Sequence, residues 1–156
     1  HKGYIDHAFR PLMENWVYGC DVCQDVCPWQ RFTVTSDEQA FAPADDRQVA
    51  PLLTDLLGMD DSQFKVWYHG SPIYRIKRAR LVRNACIAAG NWGQADAIPF
   101  LEQLLTDESA LVRAHAAWGL AQITGDVALK QITRMIDAEQ DPEAKADLAQ
   151  TLDSLG

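Results

Sequence analysis

A chain of 156 residues, 47% hydrophobic and 23% charged, suffices for about one folded domain and is too apolar to stay disordered. No apolar run approaches the roughly 20 residues of a membrane helix, and no signal-peptide pattern opens the sequence, which argues against a membrane protein and against a secreted disulfide scaffold. The net charge of −8 repels polyanions at long range, but it is unevenly spread.

Residues 1–62 carry 11 acids and 4 bases, and residues 96–156 again carry 11 and 4. Between them, residues 63–95 hold no acid and six bases: Lys65, Arg75, Lys77, Arg78, Arg80 and Arg83. Such a local basic face still holds a polyanion at contact.

The chain opens on "HKGYIDHAF" without Met and reads as part of a longer protein. Its first landmark is "YGCDVCQDVCPWQRF", residues 18–32, which spaces Cys20, Cys23 and Cys27 as C-x2-C-x3-C-P. A zinc site usually presents two C-x2-C knuckles or one knuckle with histidines. Here there is one knuckle, and His1, His7 and His69 form no close pair. The spacing fits better the end of the bacterial ferredoxin run C-x2-C-x2-C-x3-C-P, in which the cysteine before proline ligates the other cluster. Thiolates suit that role because iron prefers soft sulfur donors. Trp16, Tyr18 and Trp29 are expected to screen a cluster from water. A metal-free loop of reduced thiols is the bland alternative. The fourth cysteine, Cys86, lies between Ala85 and Ile87 and is expected to be a small core residue.

Residues 35–48, "TSDEQAFAPADDRQ", are polar and turn-forming and read as a linker. It separates a cysteine segment over 1–34 from a helical domain over 49–156. "RFTVT" is the nearest candidate for a strand, and it is short. "VAPLLTDLLGM" and "DDSQFKVWY" read as two short helices, the second capped by Asp60 or Asp61. The stretch "HGSPIYRIKRARLVR" follows. Its bases form either a solvated helix face or a phosphate-binding surface, with amides near "HGSP" and the rings of Trp67, Tyr68 and Tyr74 as supports.

Beyond it the chain repeats. "LVRNACIAAGNWG" from Leu81 recurs as "LVRAHAAWGLAQITG" from Leu111, and "AIPFLEQLL" from Ala97 aligns with "ALKQITRMI" from Ala128. Each segment spaces apolar residues at helical i, i+3, i+4 intervals. Asp96, Ser109, Asp126 and Asp141 are expected N-caps, Pro142 an N1 residue, and Gly93 and Gly125 helix stops. The fold class that follows is all-α: a HEAT-like α-solenoid of stacked helix pairs, preceded by a short ferredoxin-like cysteine segment. Within it Trp118 is expected to fill space between adjacent pairs.

Two stretches, "RPLMENWVYGCDVCQDVCPWQRF" and "GSPIYRIKRARLVRNACIAAGN", closely resemble the C-terminal part of the epoxyqueuosine reductase family. The resemblance covers roughly residues 1–125. It implies an oxidoreductase of queuosine biosynthesis that uses two [4Fe–4S] clusters and cobalamin to reduce epoxyqueuosine at the tRNA wobble position. It also implies a cytoplasmic enzyme, a monomer, that meets the tRNA anticodon arm and draws on an unidentified electron donor. By position, Cys20 and Cys23 would complete the cluster nearer the cobalamin and Cys27 the other, with Cys20 and Asp21 near the corrin. Lys2, Tyr74, Arg75, Lys77, Arg78 and Arg80 would face the RNA, and Arg10 and Arg113 would extend that surface. The final helix pair, rich in acids, would cap the solenoid. Most cluster ligands and the catalytic acid would lie upstream of His1, so this chain alone is expected to be inactive. The competing reading is a HEAT-type protein-interaction module with a small metal or iron–sulfur site.

Overall fold

The computed structural model describes residues 1–39 and 49–155. Most of the expected linker, residues 40–48, lies outside them. Among the described residues there is no strand, "RFTVT" included. Eight α-helices follow in order among the described residues: α1 Val22–Asp25, α2 Leu53–Leu57, α3 Asp61–Tyr68, α4 Lys77–Trp92, α5 Ile98–Leu104, α6 Ala110–Thr124, α7 Leu129–Ala138 and α8 Pro142–Asp153. None is long and apolar enough to cross a membrane.

Local chemistry sets the helix ends. Asp60 accepts from the Gln63 amide at 2.7 Å while Gln63 accepts from the Asp60 amide at 3.1 Å, a capping box that starts α3. Asp141 accepts from the Ala144 amide at 2.8 Å, with Pro142 at N1 of α8. Gly93, at φ 69°, ends α4 in the left-handed region. Ser109 and Gly125 bound α6 as expected. Asp96 and Asp126 do not cap. They sit inside the 3-10 turns Ala95–Ala97 and Gly125–Ala128, which run directly into α5 and α7, so the N-caps are Ala97 and Ala128 with helical backbone angles. A 3-10 entry already bonds its early amides to i−3 carbonyls and leaves no extended position for an Asp cap.

The core forms where the repeats stack, and α4 against α6 is its most extensive contact. Leu81, Val82, Ala85, Cys86 and Ala89 of α4 and Val112, Ala116, Ala117 and Leu120 of α6 are all buried. Burial of each larger side chain is worth roughly 1.5–3 kcal/mol. Small residues let the two backbones approach: a Cβ on Gly119 would lie 2.6 Å from the Cys86 carbonyl oxygen, and one on Gly90 2.8 Å from the Trp118 ring. Trp118, 3% exposed, fills the gap over Gly90, as expected for a packing residue.

Inter-repeat ion pairs join the stack. Arg78 of α4 meets Asp107 at 2.7 Å, and Arg113 of α6 meets Glu139 at 2.7 and 2.8 Å. The arginine hydrogen bonds pull the Glu139 carboxyl down to about 2.

Residues 1–17 form a strap across α4, α6 and α8. Tyr4 stacks on His115 at 5.6 Å and donates to Asp141 at 3.3 Å. The Ile5 amide donates to His115 Nε2 at 3.3 Å, while His115 Nδ1–H donates to the Leu111 carbonyl at 2.8 Å, which fixes a neutral tautomer. Arg10 is fully buried, ion-paired with Asp147, and lies 5.4 Å from the Trp118 ring. His7 Nε2 also reaches Asp147, at 3.3 Å. Burial alone would raise the Asp147 carboxyl; the His7 hydrogen bond and the Arg10 charge outweigh it and hold the group below its usual range.

Candidate functional site

The strap delivers the cysteine loop onto the basic helix. Asn91 of α4 donates to the carbonyls of Arg10 at 2.8 Å and Glu14 at 2.6 Å; one turn pair earlier, Asn84 donates to the Val17 carbonyl at 2.7 Å. Seven residues apart, the two amides lie on one face of α4 and satisfy carbonyls of a segment whose regular structure is one 3-10 turn, Pro11–Met13. Arg83 adds a bond from Nη1 to the Gly3 carbonyl at 2.5 Å.

The chain then turns at Gly19, φ 65°, and at Asp21, φ 51°. Cys20 and Cys23 are exposed, Cys27 is half-buried, and all three are free thiols. The Cys27 amide bonds back to Gln24 at 3.0 Å, and the 3-10 turn Pro28–Phe32 begins at the following proline. Among the described residues no three His, Cys, Asp or Glu side chains converge as a metal site. A [4Fe–4S] cluster takes four thiolates. The donors here therefore fit a contribution to clusters completed by other thiolates. Cys86 cannot help, because it is fully buried and burial pushes its thiol far up. The expected aromatic screen is absent from this loop: Trp16, Tyr18 and Trp29 are 48%, 44% and 74% exposed, and Trp29 leans on Phe32 at 5.6 Å.

A cleft of about 340 Å³ joins this loop to the basic helix. Tyr18, Gly19 and Cys20 line one wall, and Ile76, Arg80, Arg83 and Asn84 line the other, with His1 at the edge. Lys2, Arg75 and Lys77 are exposed nearby in sequence, and Arg80 is half-buried with a bond to the Arg75 carbonyl at 3.2 Å. Tyr74 is half-buried, stacked on Phe64 at 5.8 Å, with the Lys77 ammonium 6.0 Å from its ring. Lys77 itself has φ 67°, and Glu14, Asp21 and Lys77 are the non-glycine residues with positive φ among those described. Such conformations cost about 1–3 kcal/mol each and concentrate at functional sites.

The basic surface is smaller than the sequence suggests. Arg78 points into a separate cleft with Asp60, Asp61, Asp107 and Glu108, where it donates to Asp107 and to the Met59 carbonyl. A polyanion is repelled there, so Arg78 is a structural ion pair. Arg10 is sealed under the strap, and Arg113 is committed to Glu139. Tyr68 is 5% exposed and belongs to the core, not to a stacking surface. Arg78, from a segment without local acids, and Arg113 each take a carboxylate from the next repeat, 29 or 26 residues on.

Reasoning from sequence missed Arg83, Asn84, Asn91, His115 and Asp147. The signal was present in "RNACIAAGN", where two asparagines seven residues apart interrupt a helix face of small apolar residues.

A family model for HEAT repeats matches residues 78–153, and one for a 4Fe-4S double cluster binding domain matches residues 1–30. An epoxyqueuosine reductase from Alicycliphilus denitrificans is 42% identical over 78% of this chain and 36% of its own length. One from Staphylococcus aureus is 36% identical over 98% of this chain and 40% of its own. A crystal structure of epoxyqueuosine reductase with a tRNA-Tyr epoxyqueuosine-modified tRNA stem loop matches 99% of this chain and 41% of that one, at 29% identity and a TM-score of 0.88. The chain thus spans somewhat over a third of the length of the curated relatives it matches.

Proposed function

Since the chain belongs to the epoxyqueuosine reductase family, we propose that it is the cluster-sharing, RNA-facing part of an oxidoreductase that converts epoxyqueuosine to queuosine at the tRNA wobble position. The observation that carries this reading is the cleft itself, in which a ferredoxin-type cysteine loop and an acid-free basic helix share their walls. Cys20, Cys23 and Cys27 would each give a thiolate to clusters completed by further thiolates, which would supply single electrons. Cys20 and Asp21 would help to hold a cobalamin bound mainly by residues outside these 156. Asparagine amides of α4 hold the strap that carries the loop, and the Arg10–Asp147 pair ties that strap to α8, so that RNA docked on α4 lies beside the thiolates.

The RNA contacts fall to Lys2, Tyr74, Arg75, Lys77 and Arg80, with Arg78 withdrawn to its acidic cleft. Their targets are mainly phosphates, which position RNA and carry no base information. The enzyme works in the cytoplasm as a monomer in this reading. A protein-interaction module is not favoured, because no relative above carries such a name and the basic helix has no use in one.

A salt series of anticodon stem-loop binding tests the proposal. Replacing Arg75, Lys77 and Arg80 together by Ala should flatten the log–log salt slope by about two to three units, since each phosphate contact contributes roughly −0.7 to −0.9. Replacing Lys130 and Arg134, which sit among the acids of the last pair, should leave the slope unchanged. An unchanged slope in the triple variant would reduce the basic segment to a solvated face.

A further inference from the structure

Arg83, like the half-buried Arg80, differs from the arginines that pair with a carboxylate. Arg10 has Asp147, Arg78 has Asp107 and Arg113 has Glu139. Arg83 is 3% exposed, yet its hydrogen bonds go to neutral acceptors only, the Gly3 carbonyl and the Asn84 side-chain oxygen. Its nearest charges are Arg80 and Arg10, both of like sign, and with burial they bring the guanidinium down to about 10. One repeat later the equivalent arginine, Arg113, meets a carboxylate; here none of the described residues supplies one.

A buried cation without a counter-charge costs several kcal/mol, and a guanidinium cannot escape by losing its proton at physiological pH. The bonds above engage three of its five N–H groups, which leaves donors for a ligand. The site is also open on one side: Arg83 lines the 340 Å³ cleft with Arg80 and Cys20, a size within the roughly 300–1,000 Å³ of small-ligand pockets.

We infer that the cleft between the cysteine loop and α4 is a binding site for one phosphate-class anion, held by the guanidinium forks of Arg83 and Arg80 beside Cys20. Guanidinium suits this ligand because its planar fork bonds two phosphate oxygens at once. The site is distinct from the exposed Arg75 and Lys77 contacts, which any passing phosphate can reach. It places a single phosphate at a fixed position against the thiolate loop. The anion is either a backbone phosphodiester of a bound RNA or the phosphate of a small molecule; only the first source rests on the function proposed above.

The test uses the metal-free chain, reduced and anaerobic. Alkylation rates at Cys20, Cys23 and Cys27 are measured by peptide mass spectrometry with iodoacetate, which is anionic, and with iodoacetamide, which is neutral. The iodoacetate-to-iodoacetamide ratio cancels each thiol's own reactivity. It should be roughly three- to ten-fold higher at Cys20 than at the other two, because the cleft concentrates anions. Arg80→Gln and Arg83→Gln should each lower the Cys20 ratio toward that of Cys23. Arg80→Gln touches no strap contact, so it serves if Arg83→Gln fails to fold. Inorganic phosphate should suppress the iodoacetate reaction at Cys20, relative to chloride of equal ionic strength. Suppression by an anticodon stem-loop at far lower concentration assigns the anion to RNA, and suppression by phosphate or pyrophosphate alone assigns it to a small molecule. Equal ratios at the three cysteines, or a Cys20 ratio that neither phosphate nor Arg80→Gln changes, would overturn the site. Because Arg75 and Lys77 are intact throughout, that result leaves the stem-loop salt series to judge the RNA reading separately.

Discussion

His115 makes the fold sensitive to mild acid. Its ring is fully buried between the strap and α6, with Nδ1–H committed to Leu111 and Nε2 accepting from the Ile5 amide. A second proton would have to enter a dry site, displace the Ile5 amide donor from Nε2 and face the Arg10 charge. Burial first, and Arg10 second, therefore lower the imidazole to about 3. The unfolded chain takes up this proton near pH 6.5, and the folded chain refuses it until far lower. The contribution is thus fully present above pH 6.5 and declines as pH falls from 6.5 toward 3. The slope is about 1.4 kcal/mol per pH unit, so between pH 6.5 and 4.5 it removes about 2.5 kcal/mol. His115→Phe keeps the stack on Tyr4 and cannot titrate. It orphans the Ile5 amide, which costs about 1–3 kcal/mol at pH 7.5. Urea titrations from pH 7.5 to 4.5 should show the wild type losing its advantage and the two stabilities converging near pH 5. Histidines common to both proteins cancel in the difference. Parallel curves, or a His115 imidazole resonance that titrates near pH 6.5 in the folded protein, would refute this.

Trp118→Ala should cost about 3–5 kcal/mol, because the ring packs against Gly90 and beneath Arg10; a loss under about 1 kcal/mol in urea would mean that the repeat interface is misassigned. Anaerobic iron–sulfur reconstitution of the chain by itself should give less than one cluster per molecule, measured by iron assay and absorbance. A stable four-iron centre on the monomer would exclude the division of the three cysteines between two clusters.

The repeat architecture was legible because it rests on short-range rules. Apolar spacing marked the repeat helices, and Gly93 and Gly125 ended helices. Asp60 and Asp141 capped as expected, while Asp96 and Asp126 did not, since a 3-10 entry leaves no residue before the helix in an extended conformation. The cysteine spacing was likewise readable as a motif. The surface was harder. Charge counted along the chain assigned Arg78, Arg10 and Arg113 to an open basic face. In space, Asp107, Asp147 and Glu139 come from other repeats and neutralise them. The strap was invisible to periodicity because residues 1–17 are held by individual hydrogen bonds to Asn84, Asn91 and His115. Only polar residues placed among small apolar ones hinted at that seam.

The central claim is that RNA docks where the cysteine loop meets the basic helix. The direct measurement is a titration of the ¹⁵N-labelled, reduced chain with an anticodon stem-loop, followed by amide chemical shifts. The account predicts changes concentrated at Lys2, at Gly19 to Asp21 and at Tyr74 to Arg80, with α7 and α8 unmoved. Shifts centred on α7 and α8, or no shifts at stem-loop concentrations that saturate binding, would contradict it.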